Sequence, residues 1–540
     1  MNEKPKKQTK QTFLQGAAIL AMATIIVKLL GFAFKVPLNN MIGKLGNSYF
    51  YTAYKVYDVL LMVSTTGLPV AMSRMISEAS TLENYAQIRK IYKTARTVFL
   101  CIGIVGMLWM LLFCKQLSVM VTTNENAWAA IAALSPCVLM VCLISSYRGF
   151  FQGQSNMTPT SVSQIFEALT RLIVGLGAAW FIMRRTNDPR FAAAGGIMGV
   201  SLGCLISVIY LRKQFKRSNE ILSLGGGEAK STRQTMKELL AIAIPITLGA
   251  AGLQIINLVD TMIYMRRLTG VLQYSEDLAD GLKGIYDFQL TVFALPCALI
   301  NPITISAIPE ITAAITKKDL ARTKATEESA IRVMGLIALP CAVGLAVMAQ
   351  PVVRLLCSSY TEEDVAVATP MLAILGVTVL FNSTVLLFNA IMQANGDVTT
   401  PVINMIIGGI IKVIVNYFLV AIPSLNIIGA PIGTMICYGT ITALDILSMR
   451  KSVASRPAIA KNLVRPLCAA AIMGGATFLI YRVLCRVLSA GRITTVLSLG
   501  CAVVIYLVLV IALQCITYED YMLLPKGEKI ARMLHIKENS

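Results

Sequence analysis

Fourteen apolar runs, each near the length needed to cross a bilayer, follow one another along the 540 residues. They fall at about 13–34, 52–77, 94–114, 127–150, 159–183, 191–211, 239–265, 284–309, 329–350, 366–392, 400–423, 425–449, 464–485 and 493–517. A helix needs about 20 apolar residues to cross roughly 30 Å of hydrocarbon. Lipid cannot hydrogen-bond an open backbone, so such runs fold as helices. The longest polar stretch between them, about 212–237, is too short to enclose a soluble core. Only 14% of the residues are charged, against roughly 25% in soluble domains. This pattern excludes a soluble enzyme, a disordered chain and a single-anchor receptor. It predicts an all-α polytopic membrane protein seated in the lipid bilayer, with about fourteen transmembrane helices.

An even number of spans places both termini on one side. Taking that side as the cytoplasm puts thirty of the 48 Lys and Arg there, counting Arg96, Arg148, Arg332 and Arg465 at the inner ends of spans and including Lys4, Lys6, Lys7, Lys10, Arg89, Lys90, Lys317, Lys318, Arg450 and Lys451. Twelve fall outside and six deeper within the spans. The positive-inside rule then gives cytoplasmic N- and C-termini. Arg184, Arg185 and Arg190, in one short outer loop, run against the trend. The formal net charge of +20 is therefore topological, and no nucleic-acid partner is expected. The first run carries Lys28 and lacks a small-residue cleavage site, so it reads as a retained span.

The thirteen cysteines are scattered singly and none stands in a CxxC arrangement, which reads as small apolar packing residues. The single histidine, His535, lies in the polar C-terminal tail. Zinc-protease motifs, Ser-His-Asp triads and intramembrane His relays are excluded on that count. No metal and no cofactor are expected.

The chain repeats itself. Lys55-Val56-Tyr57-Asp58 precedes Leu68-Pro69, and about 228 residues later Lys283-Gly284-Ile285-Tyr286-Asp287 precedes Leu295-Pro296. Gln152 leads into Thr158-Pro159, and about 241 residues later Gln393 leads into Thr400-Pro401. The same order at similar offsets predicts two six-helix repeat lobes, 1–213 and 238–450. A basic cytoplasmic linker at 214–237 containing Gly225-Gly226-Gly227 joins them, and two extra helices plus a tail occupy 451–540. Such architecture places a transport cavity between lobes near mid-membrane.

A charge at the bilayer centre costs on the order of 2.5–3.5 kcal/mol on insertion scales, so each needs a partner or a wet cavity. The basic set is Lys28, Lys35, Lys55, Arg74, Arg171 and Lys412; the acidic set is Asp58, Glu167, Asp260, Asp287 and Asp445. Lys28 and Lys35 are two helical turns apart and share a face with Gly31 between them. They read either as an anion site or as a snorkelling end and a cross-span pair. Lys55 with Asp58, and Glu167 with Arg171, are spaced to pair on one helix face. Arg74 suits a lipid-headgroup contact, and Lys412 a cavity. Asp260 suits a coupling cation or an interlobe pair, with Asp58, Glu167 and Asp287 as structural or coupling acids, while Asp445 reads as interfacial. Five of the six basic residues sit in the first lobe, which suits a phosphate or pyrophosphate headgroup.

Three motifs carry a resemblance. They are Lys28-Leu29-Leu30-Gly31-Phe32 with Lys35-Val36-Pro37, then Gly67-Leu68-Pro69-Val70-Ala71-Met72-Ser73-Arg74 ending Ser77-Glu78, and Arg148-Gly149-Phe150-Phe151-Gln152-Gly153 running on to Asn156-Met157-Thr158-Pro159-Thr160, Ser163-Gln164, Glu167 and Arg171. Over nearly the whole chain they resemble the stage V sporulation protein B group of the multidrug/oligosaccharidyl-lipid/polysaccharide exporter superfamily, which includes MurJ-type lipid II flippases. The resemblance implies two lobes in a V, alternating access, and a cationic first-lobe cavity for a pyrophosphate-sugar head. It also implies a C-terminal helix pair that takes the polyprenyl tail. The substrate it implies is a polyprenyl-pyrophosphate-linked glycan, lipid II first, moved across the bacterial cytoplasmic membrane by a monomer that makes and breaks no bond. Coupling would come from Na+, H+ or the membrane potential. The sequence departs from the flippase branch at Phe34-Lys35, where that branch has Arg-Asp, and at Asp287-Phe288, where it has Asp-Arg. The rivals are an exporter of another polyprenyl-linked unit, a drug/cation antiporter, which would need an acidic cavity, and a membrane glycosyltransferase, which would need outer carboxylates. Glu276, Asp277 and Asp280 in the outer loop 266–283 read as a solvated acidic turn.

Overall fold

The computed structural model describes residues 13–222, 226–488 and 491–516. Lys4, Lys6, Lys7, Lys10, Gly225 and His535 lie outside the described residues. Regular structure among the described residues is helical throughout, without a strand. Eleven helices there are long and apolar enough to cross a membrane, against the fourteen spans expected. The first run and the start of the second form two helices within Phe13–Met62 that meet at a sharp kink at Gly43 (φ 65), with no loop between them. A left-handed φ of that kind is cheap only for glycine. The seventh run is the helix Thr232–Arg266, and the eighth is split into Glu276–Ala298 and Asn301–Thr316. Both are helical but fall outside the eleven.

Proline explains two interruptions. The eighth run breaks at Leu299-Ile300, just ahead of Pro302 in the first turn of the next helix, a position where its missing N–H costs nothing. In the second run, Pro69 cannot donate to the carbonyl of Thr65, and the wider π turn Val63–Gly67 leads into Leu68–Thr81 at that place. A second π turn, Arg171–Gly175, interrupts the fifth run between Thr158–Thr170 and Leu176–Thr186.

Packing divides the chain into two compact units at Asp287-Phe288. The first is built round Phe34, Phe50, Met72, Phe99, Phe150 and Phe151, all essentially buried. The helix Thr232–Arg266 packs in this unit: Gly67 lies directly against Ala243 and Thr247. The unit boundary follows contacts, whereas the repeats 1–213 and 238–450 follow sequence landmarks. In the second unit, the last two helices, Ile459–Leu488 and Arg492–Ala512, pack through Ala469, Ala470, Met473, Ala502 and Tyr506 onto Leu339 of Leu320–Val347. Lipid is as apolar as leucine, so such contacts depend on small residues and polar ties. Here Tyr506 Oη donates to Leu336 O at 3.0 Å. The opposite face of the last helix, with Val503, Val504, Leu507 and Val508, is exposed and apolar, as a lipid-facing surface must be.

Candidate functional site

Gly43 stands midway between Lys28 and Asp58 in the chain. Fifteen residues on either side of the kink amount to about 22 Å of helix, so the two charges return to the same depth well inside the membrane. They line one wall of a cavity of about 370 Å³ that lies wholly within the first unit. Arg148, Gln164, Glu167 and Arg171 line the other.

Arg148, near the end of Trp128–Gly153, holds the acid of this wall. Its Nη2 donates to Glu167 Oε1 at 2.6 Å, and its Nε and Nη2 donate to Ser163 Oγ at 3.1 and 2.8 Å. Ser163 passes the chain on by donating to Thr160 O at 2.7 Å. The expected Glu167–Arg171 pair is therefore corrected: Glu167 pairs with Arg148, nineteen positions away. A π turn starts at Arg171, so the i,i+4 stripe ends there. Arg171 instead reaches the first helix, its guanidinium 5.8 Å from the Phe34 ring centre and its Nη2 beside the open side of Gly31. That is the use the fold makes of Gly31. Arg171 Nε and Tyr54 Oη are buried, with the guanidinium within reach of the Tyr54 hydroxyl.

Lys35 sits 4.9 Å above the Tyr51 ring. Lys28, Lys35 and Arg171 lie close enough to repel one another, and the cations that Asp58 feels are Lys55 and Lys35. The Arg148–Glu167 pair is self-neutralising, and Lys28, Arg171 and neighbouring Lys35 outnumber Asp58, so this part of the unit is net positive. An anion relieves that repulsion.

The other candidates lie elsewhere. Arg74 is exposed midway along Leu68–Thr81. Lys412 belongs to the second unit, near Tyr438. Asp260 is buried, with Tyr264 in its field. Asp445 Oδ1 accepts from Asn404 Nδ2 at 2.8 Å and is buried against its neighbouring helix. Asp287 accepts from Lys283 Nζ at 2.7 Å, with both side chains sealed from solvent, and Lys283 also donates to Ser48 O at 3.1 Å. A lysine read as loop is thus the partner of a span acid.

Asp280 is a further correction. Glu276 and Asp277 are exposed, but Asp280 is fully buried and accepts from Asn124 Nδ2 at 2.8 Å and Ser48 Oγ at 3.1 Å. Burial pushes its carboxyl up to about 6, outweighing those donors and Lys283. The cysteines are all free, but Cys101, Cys468 and Cys501 are exposed on apolar helices where buried packing is expected. Among the described residues no group of His, Cys, Asp and Glu could hold a metal ion. Arg148 and Lys283 are the residues that sequence reasoning missed. The glycine- and phenylalanine-rich motif after Arg148 was the available signal for the first, and the landmark in which a lysine shortly precedes Tyr-Asp in both repeats for the second.

Comparison with known proteins agrees with this architecture. Lipid II flippase MurJ of Bacillus subtilis (strain 168) is 25% identical over 494 residues, covering 87% of this chain and 89% of that protein. Stage V sporulation protein B of the same organism is 24% identical over 445 residues, covering 82% and 84%. The solved structure of lipid II flippase MurJ in an inward closed conformation has a TM-score of 0.70 at 14% identity, covering 91% of this chain and 98% of that one, which establishes the fold. The family of polysaccharide biosynthesis proteins matches residues 13–315, more than half of the chain. This multi-pass membrane protein belongs to the polysaccharide biosynthesis protein family.

Proposed function

We propose that this protein is a flippase that moves an undecaprenyl-pyrophosphate-linked cell-wall precursor, lipid II first among candidates, from the inner to the outer leaflet of the bacterial cytoplasmic membrane. The carrying observation is the first-unit cavity, where Lys28 and Arg171 stand with Lys35 nearby and Glu167 is already neutralised by Arg148. Lys and Arg at such a site suit phosphate oxygens. The polar head crosses through the cavity by alternating access while the tail stays in lipid, served by the last two helices. No bond is made or broken, so the protein is not an enzyme. It works as a monomer with both termini in the cytoplasm. The head shifts the equilibrium only through its different affinity for the two states. Net transport draws on the membrane potential or on coupled Na+ or H+, with Asp260 as the acid proposed to serve a cation.

The test is flipping in a strain depleted of its own flippase, read as lipid II accessible at the outer leaflet. Lys28→Ala with Arg171→Ala abolishes export on this reading; export at the wild-type rate by the double variant overturns it. The family description favours a second reading, an exporter of another polyprenyl-linked polysaccharide unit. Failure of the wild-type chain to rescue lipid II export, with rescue of a polysaccharide exporter mutant, selects it.

A further inference from the structure

A second pocket lies in the other unit. The segment between Gly429–Ser452 and Ile459–Leu488 borders a pocket of about 660 Å³ lined by Ile446, Met449, Arg450, Arg456, Pro457 and Ile459. Its chemistry is two-sided, with an apolar wall carrying two guanidinium groups. By the Lys/Arg asymmetry of the spans, this segment lies at the inner membrane surface.

The segment is held rather than loose. Glu327, fully buried on Leu320–Val347, accepts from Ser455 Oγ, and from Asn395 Nδ2 at 3.0 Å. Its neighbour Glu328 accepts from the Ala458 backbone N–H at 2.9 Å. Val453 N–H closes the preceding helix on Met449 O at 2.9 Å. Arg456 lies between these anchors with φ 47, a left-handed conformation that favours glycine. Backbone of that kind persists only where its surroundings over-determine it. Two carboxylates fix the segment on either side of Arg456 and leave its head exposed. The ion pairs of the described residues engage neither Arg450 nor Arg456.

We propose that this pocket binds the headgroup of an anionic phospholipid of the inner leaflet, its phosphate between Arg450 and Arg456 and its first methylenes on Ile446, Met449 and Ile459. Arginine forks match phosphate oxygens, and basic pockets between transmembrane helices on the cytoplasmic side take acidic lipid heads. The occupant docks where the last two helices join the rest of the second unit.

The test uses the purified full chain in detergent, with phosphatidylglycerol, phosphatidylcholine and inorganic phosphate as probes. Retained lipid is read by native mass spectrometry and unfolding by thermal melting. Phosphatidylglycerol is expected to be retained and to raise the melting temperature, and phosphatidylcholine to do neither. Arg450→Ala with Arg456→Ala is expected to weaken retention about tenfold. Ala460 also borders the pocket, and Ala460→Trp, which fills it and keeps both arginines, is expected to do the same, so a folding defect in one variant leaves the other to decide. Melting in phosphatidylcholine reports folding for both. Lys213→Ala with Lys216→Ala is expected to retain the lipid as the wild type does. Wild-type retention by both pocket variants overturns the proposal, as does equal loss in the lysine variant. Equal stabilisation by millimolar inorganic phosphate makes this a free-phosphate site and overturns it too.

Discussion

Arg148 and Glu167 show how a charge pair lining a cavity constrains its neighbours. Both side chains are mostly withdrawn from solvent, and removing one partner from such a pair leaves a charge without compensation, at a cost of about 3 kcal/mol. Arg148→Gln alone is expected to lower the melting temperature of the detergent-solubilised protein. Adding Glu167→Gln should restore most of it, because the orphaned carboxylate is gone. Transport should be impaired most in the single Arg148→Gln variant, where the freed Glu167 carboxylate is left to face Lys28 and Arg171 in the same cavity. A double variant less stable than Arg148→Gln rejects the pairing. Asp280 supplies the pH dependence. Its carboxyl is raised to about 6 from an ordinary value near 4, so the native state holds the proton more tightly than the unfolded chain. Its contribution is fully present below about pH 4 and is lost as pH rises through 6, amounting to about 3 kcal/mol at most. Asp280→Asn should flatten the fall in melting temperature between pH 5 and pH 7.5; an unchanged slope assigns that fall to other groups. Glu167 was legible in the sequence as a span acid, but its partner was not, because i,i+4 spacing favours Arg171 and only tertiary packing brings position 148 across.

Along the helices, apolar length was a sound guide to where spans lie and a poor guide to how they join. Residues 35–51 carry Asn39, Asn40, Lys44, Asn47 and Ser48 and read as a polar loop. They are helical up to and after Gly43, and Asn39, Asn47 and Ser48 are buried. Their polarity serves contacts rather than solvent: Asn47 Nδ2 donates to Gly284 O at 2.7 Å, and Ser48 meets both Lys283 and Asp280. Contacts between residues more than two hundred positions apart leave no local signature. The turn near Pro423-Ser424-Leu425, by contrast, is where the sequence placed it, between Thr399–Leu419 and Gly429–Ser452. The repeated landmark also differs where packing differs. Val56 follows the lysine in the first copy, and Gly284 in the second, where a Cβ would overlap Lys44 O. Gly284→Ala should therefore lower the melting temperature by several degrees, while Gly475→Ala, which meets open space, should be near neutral. Equal effects at the two sites would mean that the helices separate there without cost.

For the molecule as a transporter, the sign of the cavity charge decides which step an electrical potential can drive. The first lobe holds five of the six basic residues assigned to the membrane, as the sequence indicates, and Lys28, Arg171 and Lys35 are brought to one region of the first unit. On the proposed function, an anionic head bound there is largely neutralised, so its passage outward feels little of the field. The empty return carries net positive charge from outside to inside, and a potential negative inside favours it by about 2.3 kcal/mol per charge per 100 mV. Collapsing the potential with valinomycin at high external K+ should then stop net export of the lipid-linked precursor in cells that depend on this protein. Collapsing only the pH gradient with nigericin should leave export running. Neutralising Lys35, which sits on Tyr51 beside the cavity rather than in its lining, should weaken the dependence on potential more than it weakens headgroup binding. Export that survives valinomycin but needs external Na+, or fails with nigericin, would move the driving force from the cavity's own charge to a coupled cation. The buried Asp260 would then be the first acid to neutralise.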